Sequence, residues 1–357
     1  MKKAYLYLEN GQVLEGKSFG ASGTAMGELV FTTSITGCVE SLTDPSYYGQ
    51  LVIYTFPQLA NYGVCLADKE SPKSQMGGVV VREYCEEPSN FRSDESVDAF
   101  LKEQHVVGIS GVDTRMLTQM IRDNGVMNAV ITTEETKPDM ETLKAFRVVQ
   151  SVENTSDSHI TESLPEGEVK FSVALIDYGA KQSITNSLLA RGCKVTNYPY
   201  NTPAEVILAN GHDGVMLSNG PGDPSDNVFC IEQIQKLFGK IPMFGICLGH
   251  QMMAIAAGAK TTKLKFGHRG ANQPVKDLED GTVVISTQNH GYAVDSESLI
   301  GTEGKLRFIN VNDGTCEGVD YPAYHAFSLQ FHPEAHGGPL DCQTAFDRFV
   351  DTMKEGL

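Results

Sequence analysis

The sequence predicts two domains: a smaller α+β or β-rich N-terminal one, and an α/β C-terminal one whose mostly parallel sheet is covered by helices on both faces. Three observations predict this. At 357 residues the chain is too long for one average domain and suits two. Over residues 151–170 it turns polar and acidic, holds Pro165 and Gly167, and shows neither hydrophobic period, which reads as a linker. Beyond that stretch, strand-like and helix-like runs alternate. The expected division is residues 1–150, a linker over 151–170, and residues 171–357.

Taken in order, Ala4–Leu8 reads as a first strand, because Glu9 arrives too soon for a secretory apolar core. Glu28–Thr33 and Leu51–Tyr54 are short and β-branched, and the glycines at 11, 16, 20, 23 and 27 read as turns between strands. Val97–His105 and Met116–Asp123 carry helical patterns. After the linker, Phe171–Ile176 reads as a strand and 181–190 as a helix ended by Gly192. Val195–Tyr198, Gly214–Leu217 and Met243–Ile246 read as buried strands. Ile231, Ile234, Leu237 and Phe238 share one helical face, as do Phe346, Phe349, Val350 and Met353. In such sheets ligands sit beyond the carboxyl ends of the strands.

Composition narrows the function classes. The formal charge of -17 is spread over both halves, and no Lys/Arg stripe interrupts it, so nucleic acid is not an expected partner. No uncharged apolar run approaches the ~18 residues of a membrane span. The eight cysteines are scattered without a C-x-x-C pair, which argues against structural zinc and a redox dithiol. Reduced thiols in a cytoplasmic protein are expected, most of them small buried hydrophobes.

Cys247 stands apart. An apolar strand ends in Gly245-Ile-Cys-Leu-Gly249, and a helical run from about Gln251 follows. This is a Gly-x-nucleophile-x-Gly elbow with cysteine as nucleophile, which would point into solvent at a helix N-terminus that favours thiolate. Alone, the motif fits a buried cysteine in a glycine turn equally well. Two other segments shift the balance. Ala326–Phe331 leads into His332-Pro333-Glu334, a base with a carboxylate two positions on. Ser218-Asn-Gly-Pro-Gly-Asp-Pro224 ends another buried strand and can aim a backbone N–H at a developing oxyanion.

Together these three motifs resemble a class I (triad) glutamine amidotransferase domain. Asp177-Tyr-Gly-Ala-Lys181, Lys265-Phe-Gly-His-Arg-Gly-Ala-Asn272 and Thr287-Gln-Asn-His-Gly-Tyr-Ala-Val294 are similar to the glutaminase half of the carbamoyl phosphate synthetase small-subunit family. Gly27–Gly37, Leu42–Tyr47 and Gly111-Val-Asp-Thr-Arg115 resemble that family's own N-terminal domain. The resemblance implies Cys247 as nucleophile, His332 as acid–base and Glu334 as its orienting carboxylate. It implies an oxyanion hole from the N–H groups of Gly222 and Leu248. Ser46, Gly220, Gln251, Asn289, Gly291 and Tyr292 are implied to hold L-glutamine, with Ser46 reaching in from the other domain and Tyr292 standing where the family commonly has phenylalanine.

The resemblance further implies a glutamine-hydrolysing ligase chain that works through a cysteinyl thioester and passes ammonia to a large subunit. That partner would supply the bicarbonate chemistry with ATP and Mg, since this chain has no P-loop, and the product would serve arginine and pyrimidine synthesis. The N-terminal domain would dock the partner, or else merely cap the glutaminase. No cofactor is expected in this chain, and a metal site from Cys247, His250 and His268 lacks recognisable spacing. His250 and His290 read as structural. Two rivals remain at this stage: a free-standing cysteine hydrolase of the DJ-1/peptidase type, and a regulatory subunit without turnover.

Overall fold

The computed structural model describes residues 2–135, 137–335 and 337–356. The chain divides into two compact units, Met1–Val149 and Gln150–Leu357.

In the first unit, seven strands close a barrel in the order β1-β2-β8-β6-β4-β3-β9. They are β1 (Lys3–Leu8), β2 (Val13–Gly20), β3 (Thr24–Thr32), β4 (Gln50–Tyr54), β6 (Gly78–Val81), β8 (Val107–Ser110) and β9 (Met127–Thr132). Strands β5 (Gln58–Leu59) and β7 (Glu83–Tyr84) form a separate ribbon. Closure leaves the barrel no bare edge. Helices α1 (Cys38–Leu42), α2 (Val97–Glu103), α3 (Thr114–Asn124) and α4 (Met140–Ala145) accompany it. The sequence marks the starts of α2 and α3: Ser96 accepts from the Ala99 N–H and Asp113 from the Met116 N–H. Gly11 and Gly23 do lie between strands, but Gly16 and Gly27 correct the expectation of turns, since they lie inside β2 and β3. The reason is close approach: a Cβ on Gly27 would stand 2.7 Å from the Gly49 carbonyl oxygen, and one on Gly16 would strike the Ser110 carbonyl.

The second unit is built on a ten-stranded sheet, β10-β12-β11-β13-β14-β19-β18-β17-β15-β16. Its parallel centre comprises β12 (Cys193–Pro199), β11 (Phe171–Asp177), β13 (Gly214–Leu217), β14 (Met243–Ile246) and β19 (Ala326–Leu329). Residues on these strands alternate between two cores. Ala174, Ile176, Val215, Leu217 and Met243 pack with α7 (Ala204–Ala209), α8 (Val228–Leu237) and α9 (Leu248–Ala256). Val173, Leu175, Met216, Phe244 and Ile246 pack with α6 (Gln182–Leu189) and α10 (Thr344–Glu355). Helices thus cover both faces, as the apolar runs predict.

Two features differ from expectation. Beyond β19 the sheet turns antiparallel through β18 (Cys316–Tyr321), β17 (Lys305–Asn310), β15 (Thr261–Asp277) and β16 (Val283–Val294), an arm that the strand–helix alternation does not reveal. Residues 151–170 are also not a plain linker. Helix α5 (Ser151–Thr155) buries Ser151 and Val152, and β10 (Thr161–Ser163) pairs antiparallel with β12. The stretch is polar because an edge strand faces water, which hides it from a hydrophobic-period reading.

Candidate active site

Four of the expected motifs of the second unit follow carboxyl ends of its parallel strands: Tyr178–Lys181 after β11, Ser218–Pro224 after β13, Cys247 after β14, and His332 just past β19; the motifs at 265–272 and 287–294 lie instead on the antiparallel strands β15 and β16. The elbow forms as the glycines require. Cys247 has φ 53° and ψ −101°, a costly conformation for a residue with a side chain, and is the N-cap of α9. A Cβ on Gly245 would lie 2.9 Å from the Gly249 carbonyl carbon, and one on Gly249 would meet the Leu217 carbonyl. The Gly249 N–H donates to the Ser218 carbonyl at 3.1 Å, tying helix start to glycine loop.

One expectation needs correction. Cys247 does not point into solvent; it is 2% exposed. It belongs to a buried cluster with Ile246, Leu329 and Phe331, and the strand β16 runs beside its sulfur, where the Asn289 carbonyl lies 3.7 Å from Sγ. The long antiparallel arm, unseen in the sequence, brings the Asn289 carbonyl against this sulfur.

His332 is brought to the sulfur by β19 and fixed by its N–H bond to the Thr287 carbonyl, 2.9 Å. Its Nδ1 lies 2.6 Å from Glu334 Oε1, and both side chains are fully buried. Nε2 has no hydrogen-bond partner. Burial and the Lys181 charge oppose protonation of His332, but the Glu334 carboxylate, the Cys247 thiol and the bond from Nδ1 to Glu334 outweigh them and carry its pKa up to about 10. Glu334 moves the other way: burial would raise it, and the charges of His332 and Lys181 hold it well below the usual carboxylate range.

Lys181 is the residue whose role sequence reasoning missed. It appears there only as part of a motif, yet its Nζ stands 3.2 Å from Glu334 Oε1, almost completely buried. Its position follows from local turns. Asp177 Oδ1 accepts from the N–H groups of Gly179 and Ala180, and the Lys181 N–H donates to Asn219 Oδ1.

The remaining expected residues fall as follows. Leu248 opens α9 beside Cys247, where helical geometry leaves the first N–H groups without an intrahelical acceptor. Gly220 is buried and Gly222 half-buried in the loop after β13, Gly222 at φ 90°. Gln251 is 3% exposed and donates through Nε2 to the Tyr292 carbonyl at 2.8 Å and to Gln330 Oε1 at 2.9 Å. Asn289, Gly291 and Tyr292 share the β16 segment beside the sulfur. Ser46 lies in a short 3-10 turn of the first unit, its N–H bonded to Asp44 Oδ1. His250 is structural: Nδ1 lies 2.8 Å from Ser328 Oγ, and burial pushes it down to about 3. Among the described residues, the group that gathers three possible metal ligands is His268, His290 and Glu317, which leaves out Cys247 and His250. All eight cysteines are free thiols, seven of them buried.

Comparison with known proteins fits this geometry. The family profile "Carbamoyl-phosphate synthase small chain, CPSase domain" matches residues 6–131, and "Glutamine amidotransferase class-I" matches residues 174–352. The carbamoyl phosphate synthase small chain of Listeria monocytogenes serotype 4b (strain F2365) is 48% identical over 356 residues, covering 99% of this chain and 97% of that one. The chain belongs to the carbamoyl phosphate synthase small chain family. Other members include those of Staphylococcus saprophyticus, 46% identical over 359 residues and covering 99% of this chain and 97% of that one. The member from Syntrophotalea carbinolica is 45% identical over 370 residues, covering 99% and 98%. The family's amidotransferase domain contains Cys247, His332 and Glu334, and its CPSase domain contains the barrel strands and Ser46. The expected enzyme class, the small chain of a glutamine-hydrolysing carbamoyl-phosphate synthase, stands on that membership. No described helix is long and apolar enough to cross a membrane.

Proposed function

We propose that the chain hydrolyses L-glutamine through a Cys247 thioester and hands the ammonia to the large chain of a carbamoyl-phosphate synthase. The observation that carries this is a buried constellation: Glu334 bonds His332 Nδ1 at 2.6 Å, Nε2 is left without a partner, and the Cys247 thiol acts on the same ring. Cys247 Sγ attacks the carboxamide carbon, and a C–S bond forms as the carbonyl oxygen becomes an oxyanion. The Leu248 N–H at the start of α9 and the Gly222 N–H of the loop are the donors for that oxyanion, each worth roughly 3–4 kcal/mol in the transition state. His332 Nε2 delivers its proton to the nitrogen, the C–N bond breaks, and ammonia leaves. Water, deprotonated by His332, then cleaves the thioester to glutamate and restores the thiol.

Gly220, Gln251, Asn289, Gly291 and Tyr292 hold the substrate in this reading. Both side-chain hydrogen bonds of Gln251 are donated by Nε2, so its Oε1 is the atom offered to the substrate's ammonium group. Ammonia in neutral water is protonated and lost as a nucleophile, which favours direct transfer to the partner, where ATP and Mg would act, and onward use for arginine and pyrimidines. The test is Cys247→Ser in the full-length chain with its large chain. Glutamine-dependent carbamoyl phosphate formation is expected to fall by about 10³-fold or more, with ammonia-dependent formation retained. Undiminished glutamine hydrolysis by the variant rejects the assignment.

A further inference from the structure

The β16 segment that carries Asn289, Gly291 and Tyr292 rests on a closed, buried ring of hydrogen bonds. Glu317, fully buried on β18, places Oε2 3.0 Å from Gln288 Nε2. Gln288 Oε1 lies 3.1 Å from His290 Nε2, and His290 Nδ1 lies 2.7 Å from the Tyr292 carbonyl. That carbonyl also accepts Gln251 Nε2, which bonds Gln330 Oε1, and the Gln330 N–H returns to the Glu317 carbonyl at 2.9 Å. The ring therefore joins the acidic side chain of Glu317 to Gln251 and to the loop beside Cys247.

Counting protons around the ring exposes a mismatch. Both nitrogens of His290 face oxygen atoms, but a neutral imidazole has one N–H to give. Burial, and then the charges of His268, Arg269 and His332, push His290 well below its ordinary range against the help of the Tyr292 carbonyl, which favours the neutral ring. Were Glu317 ionised, Gln288 would have to turn its NH2 to the carboxylate and its oxygen to His290. One nitrogen of His290 would then face an oxygen with no proton between them. Rotating the Gln288 amide by half a turn, which exchanges two atoms of nearly equal shape, satisfies His290 but sets oxygen against Glu317 Oε2. A proton on Oε2 resolves both ends. Glu317 O–H donates to the Gln288 oxygen, Gln288 NH2 donates to His290 Nε2, and His290 Nδ1–H donates to the Tyr292 carbonyl. The Ser286 hydroxyl, 3.2 Å from the same amide, donates to the Gln273 carbonyl at 3.0 Å and would turn its proton to the Gln288 oxygen in the protonated state.

We propose that Glu317 is held as the neutral carboxylic acid and is a positioning residue, its proton setting the direction of the chain that fixes the Tyr292 carbonyl and aims Gln251 Oε1 at the substrate. The surroundings agree. The titratable and charged groups that face it are His268 on β15, at 3.4 Å, His290 on β16, and Asp313, which holds the far nitrogen of His268 at 2.9 Å. Burial raises Glu317, His268 and the Asn310 amide oppose this, Asp313 adds to it, and the net direction is upward.

The proposal rests on the glutaminase reading, and Glu317→Gln and Glu317→Ala in the full-length chain with its large chain test it separately. A glutamine NH2 can stand in for the carboxylic O–H, so E317Q is expected to keep KM for glutamine within about twofold of wild type, whereas E317A raises it about tenfold with kcat changed less than about threefold. Infrared difference spectroscopy at neutral pH is expected to show a protonated-carboxyl carbonyl band in the wild type that E317Q lacks. An E317Q that loses affinity as E317A does, an E317A with unchanged KM, or the absence of that band each overturns the proposal. Should E317A fail to fold, E317Q and the infrared band decide alone. A glutaminase that survives Cys247→Ser rejects the catalytic reading instead, and the infrared result stands apart from either activity.

Discussion

His332 is fully buried with the Glu334 carboxylate on Nδ1, so the fold sets its charge. Burial and Lys181 disfavour the charged ring, and the Glu334 carboxylate, the Cys247 thiol and the bond to Glu334 prevail, taking the pKa from 6.5 to about 10. A group raised on folding contributes stability that is complete below its unfolded value and is lost as pH climbs through the folded one. The His332 contribution is thus full below pH 6.5 and fades towards about 10. Glu334, depressed from 4.5 by His332 and Lys181 against its burial, has the opposite window: its contribution is present above 4.5 and is lost on acidification. The expected outcome for His332→Asn is a deficit in unfolding free energy, read by urea denaturation, that is largest near pH 6.5 and shrinks as pH approaches about 10. A deficit of constant size across that range contradicts the charged-pair account.

At the scale of elements, the site depends on how closely α9 can approach the sheet. The Gly249 N–H reaches the Ser218 carbonyl, and a side chain there would push into the Leu217 carbonyl, so the helix start and the end of β13 are in backbone contact. Backbone cannot step aside as a rotamer can. Gly249→Ala is therefore expected to destabilise the second unit by about 2 kcal/mol through overpacking and to displace the Leu248 N–H from its proposed place as oxyanion donor, lowering kcat more than it raises KM. Gly167→Ala provides the control, because a Cβ there meets nothing within 4 Å. A melting temperature for G249A equal to that of G167A would show that the close approach is not required.

At the scale of the whole molecule, what the sequence discloses depends on where burial is two-sided and local. The strands β11, β13 and β14 are short, largely apolar and separated by helices with clear periodicity, so the parallel centre and the Cys247 elbow can be read directly. The barrel cannot, because its closure rests on pairings such as β1 with β9, far apart in sequence. Glu317 is invisible for another reason: both faces of β18 are buried, and a carboxylate between Cys316 and Gly318 looks like a solvent-facing position in an alternating strand. The same blindness misplaces the start of the second unit. Val152 is buried in the core with α8 and α9, Ser151 Oγ donates to the Pro221 carbonyl, and Thr155 Oγ1 donates to the Tyr178 carbonyl. One carbonyl of the glycine loop and one of the segment after β11 are thus held by a stretch that reads as a tether. A fragment beginning at residue 171 would lose these bonds, the Val152 burial worth roughly 1.5–3 kcal/mol, and the cover over the β12 edge. Against a fragment of residues 150–357, the shorter one is expected to unfold at a lower urea midpoint by an amount equivalent to about 3 kcal/mol or more, and to aggregate more readily. Equal midpoints would return 151–170 to the role of a linker, and would place the support of the Pro221 and Tyr178 carbonyls entirely within the sheet.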